Sequence, residues 1–183
     1  MTTISAKRLS DGISAEVPDW SREKKNRFWD PSRALIAAIR SYQRHSAGGG
    51  PFAGPGRFLA KCRHHFWSIV TGADIPLTTR IAGGLMMPHP NGIVIHAEAE
   101  IGPNCLIMQN VTLGMTGKQG APRIGGHVDI SVGASILGPV TVGDHAVIGA
   151  HALIVKDVPA GAVMVSPLAQ IMPDNHANGQ ADS

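Results

Sequence analysis

From Ile124 to Val155 the chain keeps a period of six without a slip. Ile124, Ile130, Ile136, Val142, Ile148 and Ile154 mark it, and Val128, Ala134, Val140, Ala146 and Ala152 follow at a constant offset of four. A helix would bring its apolar residues back every three to four positions, and a run of hairpins needs turn signals at wider and less regular spacing. A period of six is the mark of a parallel β-helix, in which each hexad is one short strand plus a turn and three hexads close a triangular coil. The aliphatic residue opening each hexad then points inward and stacks on its counterpart one coil away. Glycine follows it in Ile101-Gly102, Ile124-Gly125, Val142-Gly143 and Ile148-Gly149, where the expectation is a backbone turn that a Cβ would obstruct.

The same phase runs through Ile95, Ile101, Ile107 and Leu113, and an earlier one through Ile75, Ile81 and Met87. Two breaks separate these stretches: "PHPNG" lies between Met87 and Ile95, and "GMTGKQGAPR" between Leu113 and Ile124. A solenoid needs neither for stability, so each is a candidate functional site. The first contains His89.

Ahead of the repeats the pattern changes. Residues 1–29 are polar and irregular, and a flexible segment is expected there. Asp30 is placed to cap a helix and Pro31 to occupy its first turn, with Leu35, Ile36, Ile39 and Tyr42 at helical spacing. "SAGGGPFAGPG" is expected to break all regular structure. A second helix is predicted over "RFLAKCRHHFWSIV", with Phe58, Leu59, Cys62, Phe66 and Ile69 as an apolar stripe beside Arg57, Lys61, Arg63 and His64. This arm, residues 30–72, is expected to cap the open end of a β-helix spanning 73–172 and shield it from edge association, its basic residues facing water. Seating the arm on an anionic membrane is the less favoured alternative. A polar tail, 173–183, follows.

Composition narrows the remaining choices. In 183 residues there are 22 glycines and only 4% aromatics, against helix bundles and aromatic-cored sandwiches. The net charge of +3 is concentrated: 12 of the 16 Lys and Arg precede residue 65. That basicity belongs to the arm, and nucleic acid is not expected as a partner. Cys62 and Cys105 fit neither a disulfide framework nor a zinc motif. With no apolar leader and no run long enough to span a bilayer, a cytoplasmic protein is expected.

The stretch from Thr71 to Met172, with "ADIP", "HPNGIVI" and both breaks in order, resembles the serine acetyltransferase branch of the hexapeptide acyltransferases. The resemblance implies a left-handed parallel β-helix, a homotrimer with its clefts between neighbours, and transfer of an acetyl group from acetyl-CoA to a hydroxyl acceptor. His89 matches the catalytic histidine of that family and Asp74, fifteen residues earlier, its aspartate. Imidazole suits the task, since a hydroxyl attacks a thioester only with a base that works near neutral pH. An aspartate beside it orients the ring and stabilises the imidazolium. By the same resemblance Gly149 and Ala150 contact the cofactor; Lys156 is a candidate phosphate partner, the loop Gly114 to Arg123 with Lys118 and Arg123 is placed to close over the cofactor, and a trimer would join His89 of one subunit to Lys156 of the next.

Departures bear on the acceptor. Pro88 stands where serine acetyltransferases commonly carry an acidic residue, and "GAPR" stands where they carry an Arg-His pair. The C-terminal run Ser166 to Gln170 and the polar tail do not resemble the segment that docks on cysteine synthase, so that complex is not expected. L-Serine remains the first expectation for the acceptor; a sugar hydroxyl of a surface or exopolysaccharide intermediate is the alternative. A carbonic-anhydrase-like metal protein or a non-catalytic scaffold is a distant third, because His127, His145 and His151 do not reproduce the ligand spacing of the γ-class carbonic anhydrases. They are expected to be outward turn residues, and no metal is expected.

Overall fold

A hexad leaves room for only two or three extended residues per side, one facing inward and one outward, and the strands are that short. In this computed structural model, which describes residues 12–25, 27–48, 50, 52–117 and 120–170, there are twelve. They are β1 (Arg80–Ile81), β2 (Val94–Ile95), β3 (Glu100–Ile101), β4 (Leu106–Ile107), β5 (Thr112–Gly114), β6 (Arg123–Ile124), β7 (Asp129–Ile130), β8 (Ser135–Leu137), β9 (Thr141–Val142), β10 (Val147–Ile148), β11 (Leu153–Ile154) and β12 (Val163–Met164). Every pairing is parallel and joins a strand to one a full coil away. The first face is β2-β5-β8-β11, the second β1-β3-β6-β9 and the third β4-β7-β10-β12. Single bridges at Asp74, Met86 and Val158 complete the end coils, and the result is a left-handed parallel β-helix of five coils.

The registers turn the hexad residues into three stacked columns. Ile95, Leu113, Ile136 and Ile154 run up the first face, Ile81, Ile101, Ile124 and Val142 up the second, and Ile107, Ile130, Ile148 and Met164 up the third. All but Met164 are buried. The companion column includes Ala99, Cys105, Val111, Val128, Ala134 and Ala146, each fully buried, and burial pushes the Cys105 thiol up to about 12.

Corner one joins the first face to the second, corner two the second to the third, and corner three returns to the first. The glycines after the inward aliphatics serve a purpose other than the expected one. None of Gly102, Gly125, Gly143 and Gly149 has positive φ. A Cβ on Gly102 would come within 2.5 Å of the Gly125 backbone, and one on Gly149 within 2.7 Å of the Met164 carbonyl. These glycines let consecutive coils close on one another, and the left-handed turn falls two residues later, on Asn104, His127, His145 and His151.

Helix α1 (Pro31–Ala47) starts as expected, with the Asp30 side chain accepting from Arg33 N at 3.2 Å. Its Leu35, Ile36 and Ile39 join the β-helix core. Arg40 donates to the Ile81 and Ala82 carbonyls and Gln43 to those of Leu77 and Thr79, which satisfies backbone at the open end. Helix α2 (Ala53–Thr71) begins four residues before the predicted start and runs through Pro55 and Gly56. Pro55 lies in the first turn, where its missing N–H costs no hydrogen bond, so the Gly/Pro cluster starts a helix instead of preventing one. The arm also divides its work: α1 caps, whereas the α2 stripe faces outward, with Phe58 71% and Ile69 70% exposed.

Residues 12–25 of the segment expected to be flexible lie against corner two. Asn104 accepts from Asp19 N and donates to the Ser14 and Val17 carbonyls at 2.7–2.8 Å. Glu23 pairs with Arg40 and accepts from Gly84 N. The expected tail, 173–183, lies outside the described residues.

Candidate active site

Corner three shows what the first break does. Its turns stack through Asn110 N to Asn91 O, Gly133 N to Gln109 O and His151 N to Val132 O, all at 2.9–3.0 Å. In the regular coils one residue separates the inward aliphatic from the turn pair, as Met108 separates Ile107 from Gln109-Asn110. Between Met87 and Asn91 there are three: Pro88, His89 and Pro90. The excess has no partner column to stack on, so it bulges outward. Pro88 and His89 are exposed, and Gly92 returns the chain to register by donating to Gly72 O at 3.0 Å.

Asp74 comes to the same corner. Its N–H donates to Ile93 O at 2.8 Å, and its carbonyl accepts from Ile95 N at 2.9 Å. Since Ile75 is inward and fully buried, alternation turns the Asp74 side chain outward, where it is exposed. Neither the Asp74 carboxylate nor the His89 ring makes a side-chain hydrogen bond or ion pair among the described residues.

A cleft of about 420 Å³ adjoins the bulge, its lining including Pro88, Pro90 and Asn91 together with Arg22, Asp30 and Arg33. Nε and Nη1 of Arg22 are buried without a hydrogen-bond partner, and burial holds its guanidinium below the ordinary arginine range. This N-terminal arginine places a cation in the lining of the cleft, where Arg33 is already paired with Asp30.

Gly149 and Ala150 also belong to corner three, three rungs from the bulge and so ~14 Å along the axis at ~4.8 Å per rung. Gly149 N–H donates to Met164 O at 2.7 Å and the Ala150 carbonyl accepts from Ser166 Oγ at 3.0 Å, so those two groups are engaged within the chain. Lys156 is elsewhere. It follows β11 on corner one and is exposed, on the corner that also carries the second break, residues 114–123, and a cleft of about 690 Å³ lined by Thr78, Glu98 and Arg123 among others. Lys118 lies outside the described residues. Within one chain, therefore, the expected catalytic residues and Lys156 occupy different corners.

The remaining histidines separate as well. His127 and His145 stack at corner two, with Nδ1 to Nδ1 at 2.9 Å and the rings edge to face, while His151 is on corner three. His127 is buried at 9% exposure, which corrects the expectation of an outward residue. Residues 14–17 cross this corner, and a Cβ on neighbouring Gly126 would strike Ala15. Among the described residues no group of three His, Cys, Asp or Glu is arranged to hold a metal ion.

No protein-family model matches the chain. The serine acetyltransferase of Mycobacterium tuberculosis is 39% identical to it over 119 residues, covering 63% of this chain and 52% of that protein. That of Helicobacter pylori is 36% identical over 116 residues, covering 62% of this chain and 68% of that protein. The chain belongs to the serine acetyltransferase family. The solved serine acetyltransferase of Neisseria gonorrhoeae, in complex with serine, matches with a TM-score of 0.63 at 32% identity, over 78% of this chain and 57% of that one. The chain thus spans about half the length of the Mycobacterium and Neisseria serine acetyltransferases and two thirds of the Helicobacter one.

Proposed function

We propose that the protein is an acetyl-CoA-dependent O-acetyltransferase whose acceptor is the hydroxyl of L-serine, in cysteine biosynthesis in the cytoplasm. The observation that carries this reading is the bulge. In a chain of the serine acetyltransferase family, the turn of corner three that holds surplus residues presents an exposed histidine at the corner where Asp74 is also exposed.

His89 takes the hydroxyl proton as the oxygen attacks the thioester carbonyl, and Asp74 holds the ring and favours the imidazolium. Collapse of the tetrahedral intermediate breaks the C–S bond, and the proton passes from His89 to the departing thiolate, giving free CoA and the acetyl ester. Gly149 and Ala150, at corner three, contact the extended arm of the cofactor. Lys156 serves the phosphates, with Lys118 as a further cofactor contact. Lys156 belongs to corner one and lies at least three rungs along the axis from the bulge, so it and His89 can serve opposite ends of one extended cofactor only where corner one of one chain faces corner three of another, the arrangement of the homotrimer proposed here.

A sugar hydroxyl is the second reading, favoured by Pro88 ahead of His89 and by Gly120 to Arg123, where neither an acidic residue nor an Arg-His pair is available to hold a free amino acid. Thiol release from acetyl-CoA, measured with L-serine and with a panel of nucleotide sugars and glycans, decides between them. Turnover with serine alone supports the first reading and turnover with a glycan alone the second. No release with any acceptor, from a folded protein, overturns both. Light scattering showing a monomer at full activity would remove the trimer.

A further inference from the structure

Helix α2 has two unlike sides. Ala60 and Thr71 are buried, Trp67 packs against the core, and His64 Nε2 sits 2.8 Å from Ile75 O. At 100° per residue, Phe58, Cys62, Phe66 and Ile69 point the opposite way, with Leu59 at their edge, and all five are exposed. Arg57, Lys61 and His65 border this stripe on one flank and Arg63 on the other, and they too are exposed. Packing on the β-helix does not explain an apolar stripe that faces away from it.

Charge decides what covers the stripe. From Pro31 to Ala73 the chain holds six Lys and Arg and no Asp or Glu. Arg40 is paired with Glu23 and Arg33 with Asp30, whereas Arg57 and Arg63 have no ion-pair partner among the described residues. A second copy of α2 laid against the first would bring these cations face to face. An anionic lipid surface satisfies both features: the apolar side chains enter the boundary between headgroups and acyl chains, and the flanking cations meet phosphates. No helix among the described residues is long and apolar enough to cross a membrane, so the contact is peripheral. We propose that α2 is a docking helix that seats the protein on anionic membrane surfaces, with its apolar stripe inserted and Arg57, Lys61 and Arg63 on the headgroups.

The test is co-sedimentation of the full chain with vesicles of phosphatidylcholine alone and with about one quarter phosphatidylglycerol, at low and high salt. Binding is expected with phosphatidylglycerol, falling as salt rises, and near absent on phosphatidylcholine. Phe58→Ser with Ile69→Ser should weaken it at least ~10-fold, and Arg57→Ser or Arg63→Ser by ~5-fold each, with unchanged thermal melting because these side chains are exposed. No binding to phosphatidylglycerol vesicles at low salt overturns the proposal. So does a drop in particle mass of the Phe58→Ser, Ile69→Ser variant in lipid-free buffer, which would assign the stripe to a protein interface. Neither readout depends on turnover, so failure here is distinct from failure of the acetyltransferase reading.

Discussion

His89 and His127 are the same side chain in two kinds of turn. His127 keeps the period: it takes the left-handed position that closes corner two, is buried, and shares a hydrogen bond with His145 one coil on. His89 breaks the period. It lies in surplus chain, is exposed, and makes no side-chain hydrogen bond among the described residues. At corner two the stack holds His127 between neighbouring turns, so its contacts are set by the coils on either side. A bulge has no column, and its side chains stay available to a ligand. In a solenoid, therefore, an out-of-register residue is the better candidate for chemistry.

Five variants test that contrast. His89→Ala should have the largest effect, a loss of roughly 10²–10⁴-fold in kcat, the usual contribution of a positioned acid–base group, with acetyl-CoA binding and melting near normal. Replacing Pro88-His89-Pro90 with one alanine restores the spacing of Ile107-Met108-Gln109. Calorimetry should show a fold as stable as before, within about 1 kcal/mol, and the thiol assay should show the same loss of turnover. An unfolded product would mean that the bulge is structural. Asp74→Asn should lower kcat less than His89→Ala, because a hydrogen-bonding group remains while the charge that favours imidazolium is gone; an unchanged kcat would remove Asp74 from the site.

His127→Ala should leave the activity of folded molecules within about twofold yet lower stability by about 1–2 kcal/mol, through the lost hydrogen bond and the unpaired His145. His127→Gly sharpens the point: glycine accepts positive φ without the Cβ penalty of about 1–2 kcal/mol, so it should melt above the alanine variant. If activity collapsed with His127 and survived loss of His89, the roles assigned to the two turns would be reversed.

Much of the molecule was legible in the chain. Because a hexad admits one arrangement of strand and turn, the period determined the three faces, the stacked columns and the inward position of Cys105. The two interruptions marked His89 and the 114–123 loop for the same reason, since surplus residues cannot be absorbed by a stack. The glycines were found but misassigned. Sequence shows a glycine after Ile101, Ile124, Val142 and Ile148, but only the distance to the next coil shows that what a Cβ would meet there is a neighbouring backbone, not a turn. Arg22 and the strap around Asn104 gave no signal, because they depend on contacts between residues more than 80 positions apart, such as Asp19 with Asn104.

What the sequence determined alone was whatever repeats locally: the coil, its core, its broken turns, and two helices each with an apolar stripe. The tertiary structure decided which way those stripes face and which corner each residue occupies. Amphipathic spacing shows that a helix has an apolar side but not what it will meet. Leu35, Ile36 and Ile39 of α1 already fill the open end of the core, and Arg40 and Gln43 already bond its exposed carbonyls. With that limited surface taken, α2 packs through Ala60, Thr71 and Trp67 and leaves Phe58 and Ile69 in solvent. The strand pairings, which close the three faces into a triangle, place Lys156 on a different corner from His89 although both stand next to strands of the first face.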